Sequence, residues 1–526
     1  MTISFHAWST RSSQRVFSVV AFGVLGLALL GSPAACGGSG NGNGSGGSSS
    51  GAGSGGSSGS FVGSSSGASS GGGTVCPADL MCNVSCSGNT TTSISGKVYD
   101  PAARNPLYNI VAYVPATPLQ PLPKGVPTGN DACDCGALFK SGAVVSTTTA
   151  VDGTFKLTNA PVGSNVPLVI QVGKWRRVFH INVTACQDNP QADKTLLLPN
   201  SVLPSDTDDN MPDIAVSTGN ADTLECLMTR IGLPPPEYVA GPAATGHVHV
   251  FAGGRTGGGG GGGGGGVGRA EQPGMAGAPV SSTSLWASQS QLMPYDIVLL
   301  SCEGGETYNA NPQALEQYLN AGGRVFGSHF HYAWFSGPIG SGQAYSAPTD
   351  WGTNLASWTA NGTMGGGGAI GGTIVTTLNG TNQPFAKGQA LDQWLGLVGA
   401  LGQNGVPAGQ LSIFQPRFNS QVGPGNKPSQ PWITSDPWTM YFSFDTPVNA
   451  QPGPDGGAPA YCGRAVFSDL HVAGDPSTND SPDPPNGCAN GALSPQEKAL
   501  EFMLFDLSSC VIPDSMPPSD AGIPIH

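Results

Sequence analysis

Between residues 93 and 183 apolar and polar positions alternate in short runs: Ser93–Asp100, Asn109–Val114, Gly153–Leu157, Pro167–Val172 and Trp175–Val183, parted by Pro, Gly and Asn. Successive side chains of an extended chain point to opposite faces, so runs of this period and spacing predict strands with one buried face, and hence a small all-β sandwich. From residue 213 the pattern changes. Leu224, Leu227, Met228 and Ile231 recur at helical spacing and line one face of a helix across 221–231. Gly246–Phe251 reads as a strand, and Tyr295–Leu300 is the continuous apolar run of a parallel strand buried on both faces. Pro312–Asn320, headed by Asn311 and closed by Gly322-Gly323, predicts a helix, and Arg324–Ser328 predicts another buried strand. Strands alternating with helices predict an α/β doubly wound parallel sheet, with functional groups at the carboxyl ends of its strands.

The expected organisation is therefore multidomain. A sandwich over 75–200 is followed by an acidic linker over 201–212 and an α/β domain over 213–510. A poly-Gly loop at 253–268 and a large insertion at 336–461 interrupt the α/β domain, and residues 511–526 read as a disordered tail. The acidic run Asp206 to Asp213 lacks the glycine and the closing glutamate of a calcium loop, so a solvated linker is expected there.

Composition changes the picture at the amino end. Arg11 and Arg15 precede the apolar run Val16–Gly31 and the small residues Ser32–Ala35, the layout of an export signal over 1–35. Cys36 follows directly and resembles the lipidated cysteine of bacterial lipoproteins, although Pro33 stands where that pattern prefers Leu. That resemblance implies a membrane anchor; cleavage and release is the alternative. Residues 36–74 are almost wholly Gly and Ser and form a flexible tether spanning roughly 30–40 Å. The 526 residues carry 33 acidic and 20 basic side chains, a formal charge of −13, and the basic ones are scattered. Phosphate neutralisation needs clustered cations, so nucleic acid is not an expected partner.

Twelve cysteines in an exported chain predict disulfides. Cys76, Cys82, Cys86, Cys133, Cys135 and Cys186 fall in the sandwich, and the sequence does not choose among their pairings. Of Cys226, Cys302, Cys462, Cys488 and Cys510, an odd set that leaves one unpaired unless the two domains cross-link, Cys488 with Cys510 would bracket the last helix, and Cys302 is the candidate free thiol.

Two resemblances add to this reading. Gly96-x-Val98-x-Asp100, Pro106-Leu107-x-Asn109-Ile110, Thr148 to Leu157 and Pro161-Val162-Gly163 together resemble the carboxypeptidase regulatory-like family, with an inserted Pro-rich, Cys-bearing stretch at 115–146. That implies a non-catalytic sandwich with a structural or binding role. Tyr295 to Gly305, Ala321 to His331 and Gly463 to His471, followed by a helix over 494–507, resemble the class I glutamine amidotransferase-like superfamily, in particular its trehalose-utilisation-type branch. That implies a flavodoxin-like sheet. The family's nucleophilic Cys sits in a Gly-x-Cys-x-Gly bend, with a later His-x-Glu pair. Here the bend reads Gly327-Ser328-His329-Phe330-His331 and the late pair His471-Val472-Ala473, so glutamine hydrolysis by that triad is not expected.

What remains is a set of imidazoles, a thiol and carboxylates. His329 and His331 alternate at one strand end and Asp469 and His471 at another, a pattern able to hold zinc or another divalent metal and to support metal-dependent hydrolysis. Cys302 and Glu303 are further catalytic candidates, the thiol only if a base takes its proton. His247 and His249 are read as sheet residues. Trp351, Trp358, Trp394, Trp432 and Trp438, set among Asn, Gln and Thr in the insertion, serve either a core or a surface for polysaccharide or peptidoglycan. The expected role is that of an exported, lipid-anchored envelope protein with a binding or structural function; metal-dependent hydrolysis is the alternative.

Overall fold

A computed structural model describes residues 76–518 except 204, 220–221, 254–276, 278, 307–308, 310, 340–345, 361–367, 452–459 and 473–487. The export signal, Cys36, the tether, nearly all of the poly-Gly loop and residues 519–526 lie outside the described residues. No described helix is long and apolar enough to cross a membrane.

The first domain is a β-sandwich of strands β1 (Ser93–Tyr99), β2 (Val111–Pro115), β3 (Ala143–Thr148), β4 (Thr154–Thr158), β5 (Gly163–Val172), β6 (Trp175–Val183), β7 (Asp188–Pro190) and β8 (Leu196–Leu197). One sheet runs β4-β1-β7 with β8 also on β1, and the other runs β3-β2-β5-β6. Alternation does what the sequence promised: in β4 the inward Phe155 and Leu157 are buried between exposed Thr154, Lys156 and Thr158. Within 201–212, residues 205–208 are exposed, and Asp209 and Asn210 tie the stretch to β6. Asp209 accepts the Val178 N–H at 2.8 Å, and Asn210 exchanges backbone hydrogen bonds with Arg176.

The second domain begins with β9 (Ile214–Ser217), α1 (Leu224–Arg230), β10 (Tyr238–Ala240), β11 (Val248–Phe251), α2 (Gln289–Leu292), β12 (Ile297–Leu300), α3 (Pro312–Asn320), β13 (Arg324–Ser328) and α4 (Tyr332–Ser336). The inserted region contributes β14 (Ser357–Trp358), β15 (Ile370–Ile374), α5 (Ala386–Leu397), β16 (Leu411–Ile413), β17 (Ser420–Gln421), β18 (Ser429–Ser435) and β19 (Trp438–Thr446). The chain then closes with β20 (Gly463–Ser468) and α6 (Pro495–Ser508). The main sheet has the order β10-β11-β9-β12-β13-β20-β19-β18-β15-β16. Its first six strands are parallel, and the last four pair antiparallel. The sheet is thus mixed, because four strands of the insertion extend it beyond the doubly wound part. Trp351, Trp394 and Trp432 are no more than 2% exposed, so their rings pack against protein.

Strand β12 shows how the core is divided. Ile297 and Leu299 enter one apolar cluster, and Val298 and Leu300 enter another on the opposite face. The first cluster also contains Ile94, Leu168 and Trp175 of the sandwich and Phe502 and Phe505 of α6, so the two domains share one core. Tyr108 stacks on Phe502 at 5.8 Å, and Trp394 Nε1 donates to Pro106 O at 2.6 Å across the same boundary.

Disulfides fasten this boundary. Cys76–Cys82 and Cys86–Cys186 close loops within the sandwich, whereas Cys133–Cys462 and Cys135–Cys510 tie it to the α/β domain. Cys226–Cys488 lies within the α/β domain, so the expected Cys488–Cys510 pair is corrected: each has a partner far away in sequence. Cys302 is the one free cysteine among the described residues. Beyond Cys510 the chain stays packed as far as it is described, and Asp514 pairs with Arg464 at 2.9 Å.

Candidate metal centre

Strands β9, β12, β13 and β20 lie side by side and parallel, so their carboxyl ends open on one edge of the sheet. Strand β9 has β11 on one side and β12 on the other, so the direction of winding reverses there and marks the region beyond the strand ends where such sheets carry functional groups. Into it run Thr218 and Gly219 after β9, Cys302 and Glu303 after β12, His329 after β13, and Asp469 and His471 after β20.

Local sequence shapes each approach. Gly327 lets the chain pass under α4, where a Cβ would meet the Phe335 ring at 2.7 Å. His329 then takes φ 41°, a left-handed conformation uncommon for a residue with a side chain, and turns the strand at once into a helical turn. The sharp bend read from the sequence is present, with an imidazole at its apex. Asp222 fastens two of the strand ends: it accepts the Ser328 hydroxyl at 2.8 Å and the Val472 N–H at 2.7 Å. Gln496 of α6 holds the His471 carbonyl.

Cys302 Sγ lies 3.1 Å from His329 Nδ1. The rings of His329 and His471 are 5.0 Å apart, and one ligating atom from each of the three residues falls within 4.8 Å of the others. Two donors bound to one ion at ~2.0–2.3 Å stand roughly 3.3–4 Å apart, so small side-chain rotations bring these three onto a common centre. Cys302 and His471 are 0% exposed and His329 is 3% exposed. Nε2 of His329 and both ring nitrogens of His471 have no hydrogen-bond partner. Buried nitrogens left this way cost about 1–3 kcal/mol each unless something binds them. The three residues therefore form a candidate metal-binding cluster.

The set expected from sequence is brought together in part. His329 and His471 belong to the cluster, and Cys302 joins them. His331 stands beside it with Nδ1 3.3 Å from the Ser328 carbonyl and its ring on Trp334. Asp469 accepts the Asn419 N–H at 2.9 Å and its carbonyl accepts that of Arg417 at 3.0 Å. Glu303 accepts the Ser217 hydroxyl at 3.2 Å. His249 is a buried sheet residue, 3.3 Å from Asp213.

Burial dominates the electrostatics. It pushes the Cys302 thiol up to about 12, against backbone hydrogen bonds from Phe330 and Gly304 and, less, the charge of Arg417. It pulls His471 well below the usual imidazole range, helped by Arg417, and pulls His329 down, helped by His471, Arg417 and His331. His331 falls to about 4 and Asp469 rises to about 8, both chiefly through burial. At neutral pH the cluster offers a protonated thiol and two neutral imidazoles. Neutral imidazole is already a ligand; the thiol becomes one when a cation displaces its proton.

Sequence reasoning did not single out Arg417 or Asp222. Arg417 sits in the insertion between β16 and β17, 8% exposed, with Nη1 donating to Gln415 and Pro416 carbonyls. No pattern of type or spacing marks it; only the fold carries it to Cys302.

The chain matches no protein family, no curated protein and no solved structure.

Proposed function

We propose that this chain is an exported envelope protein whose α/β domain works as a metal-binding module, with Cys302, His329 and His471 as the ligands. The observation that carries it is the buried thiol beside His329 Nδ1, with His329 Nε2 and both ring nitrogens of His471 lacking hydrogen-bond partners. Five disulfides support the extracytoplasmic setting, since such bridges persist in oxidising compartments. Zinc or another transition ion suits one thiolate and two imidazoles, whereas magnesium and calcium prefer oxygen. Glutamine hydrolysis forms no part of this reading, because the residue at the bend is His329.

A second reading is hydrolysis by a metal-bound water. It is favoured by the ligand count of three, the number of protein ligands that hydrolytic zinc sites keep.

Elemental analysis of the purified chain tests the proposal. One equivalent of a transition metal is expected, absent from Cys302→Ser and His471→Ala and retained in His331→Ala. Failure to take up zinc, copper or nickel, or full occupancy in Cys302→Ser, overturns it.

A further inference from the structure

Resting on that reading, we infer that the ion is copper, held by the Cys302 thiolate and the His329 and His471 imidazoles as a closed, redox-active centre. Two observations separate copper from zinc. The cluster has three ligand residues among the described residues, and all three are at most 3% exposed. A closed zinc site completes a tetrahedron with four protein ligands, and a three-ligand zinc site stays open to water and substrate. A closed centre of one thiolate and two imidazoles fits neither pattern. It matches the trigonal ligand set that holds copper in electron-transfer sites.

The surroundings agree. The Phe330 ring lies 3.9 Å from that of His329, and Trp334 packs edge-on to His331 at 4.8 Å, so aromatic groups flank the imidazole side. Each ligand comes from the end of a different core strand, β12, β13 or β20, which favours little movement between oxidation states. Copper(II) takes one electron from an external one-electron donor and becomes copper(I). The thiolate and imidazoles stay bound, and no proton or bond is exchanged.

The test is titration of the full chain, purified metal-free, with copper(II) and separately with zinc(II). Copper(II) is expected to give an intense visible absorption from thiolate-to-copper charge transfer and narrowed copper hyperfine splitting in electron paramagnetic resonance. One equivalent of ascorbate should bleach the colour and ferricyanide should restore it. Every other described cysteine is in a disulfide, so the band should vanish in Cys302→Ser and persist in Cys36→Ala. A copper(II) spectrum of ordinary nitrogen and oxygen ligation in the unsubstituted chain, which needs no variant to fold, overturns the inference. Stoichiometric zinc uptake without the copper band also overturns it while leaving the metal-binding reading standing. Uptake of neither metal sinks both.

Discussion

At the scale of single residues, the site is a problem of burial. Cys302 is 0% exposed and its thiol is pushed up to about 12 by desolvation, so near neutrality only about one molecule in 10⁵ carries the thiolate that reacts with alkylating reagents. A free thiol at its ordinary value holds a few per cent. Chelator-treated native protein is therefore expected to show a Cys302 that labels at least 10³-fold more slowly than a model thiol at the same pH, and at the model rate after denaturation. Mass spectrometry of the labelled peptide measures this, and rapid native labelling would show that the thiol is neither buried nor neutral. The sequence offered Cys302 as the candidate free thiol from an odd set of five; the thiol is free, although two of that set, Cys462 and Cys510, pair with sandwich cysteines instead of within the second domain. The sequence did not join Cys302 to the histidines, since the separation of 27 positions between Cys302 and His329 is no spacing that a ligand rule recognises.

Among elements, legibility followed local pattern. Helix α3 and strand β13 have the bounds read from the sequence, because a proline and a glycine pair punctuate the first and a buried apolar run defines the second. Strands β15, β16, β18 and β19 were not legible: their pairing depends on a sheet edge that β20 supplies from later in the chain. The bend after β13 lies between these cases, since Gly327-Ser328-His329 suggests a turn while only the fold shows φ 41° at His329. An L side chain in that conformation costs roughly 1–2 kcal/mol, and glycine avoids it at an unfolded-state entropy cost of about 0.5–1 kcal/mol. Both His329→Ala and His329→Gly remove the imidazole, so their difference isolates the backbone. His329→Gly is expected to be the more stable of the two by about 0.5–1 kcal/mol in urea unfolding without metal. The reverse order would place the strain elsewhere.

For the whole molecule, the boundary between the domains contributes a pH response of its own, beside that of Asp469 at the site. Asp100, at the end of β1, and Glu501 of α6 are both 0% exposed and hydrogen-bond to each other across the shared core. Asn105 donates to Glu501 at 2.7 Å, while the Arg104 and Asn105 N–H groups donate to Asp100 at 2.7 and 3.1 Å. Two buried carboxyls this close keep one proton between them. Burial, then the Asp100 charge, raises Glu501 well above its ordinary range, and Lys498 only partly offsets this. Asp100 is raised less simply: burial lifts it, while the hydrogen bond from Glu501 and the two N–H groups pull it down, so the proton rests on Glu501. The folded pKa of Glu501 exceeds its unfolded value, so folding takes up a proton. The stabilisation is complete below the unfolded carboxylate range and is lost as pH rises towards the folded value. Glu501→Gln keeps an uncharged amide facing Asp100 and has nothing to titrate. Its unfolding free energy is therefore expected to decline less between pH 5 and 9 than that of the unsubstituted chain, with the two closest at the acidic end. Glu501→Ala leaves Asn105 and Asp100 without that partner and should be less stable at every pH. Parallel pH profiles for the unsubstituted chain and Glu501→Gln in urea unfolding would refute a shared proton at this boundary.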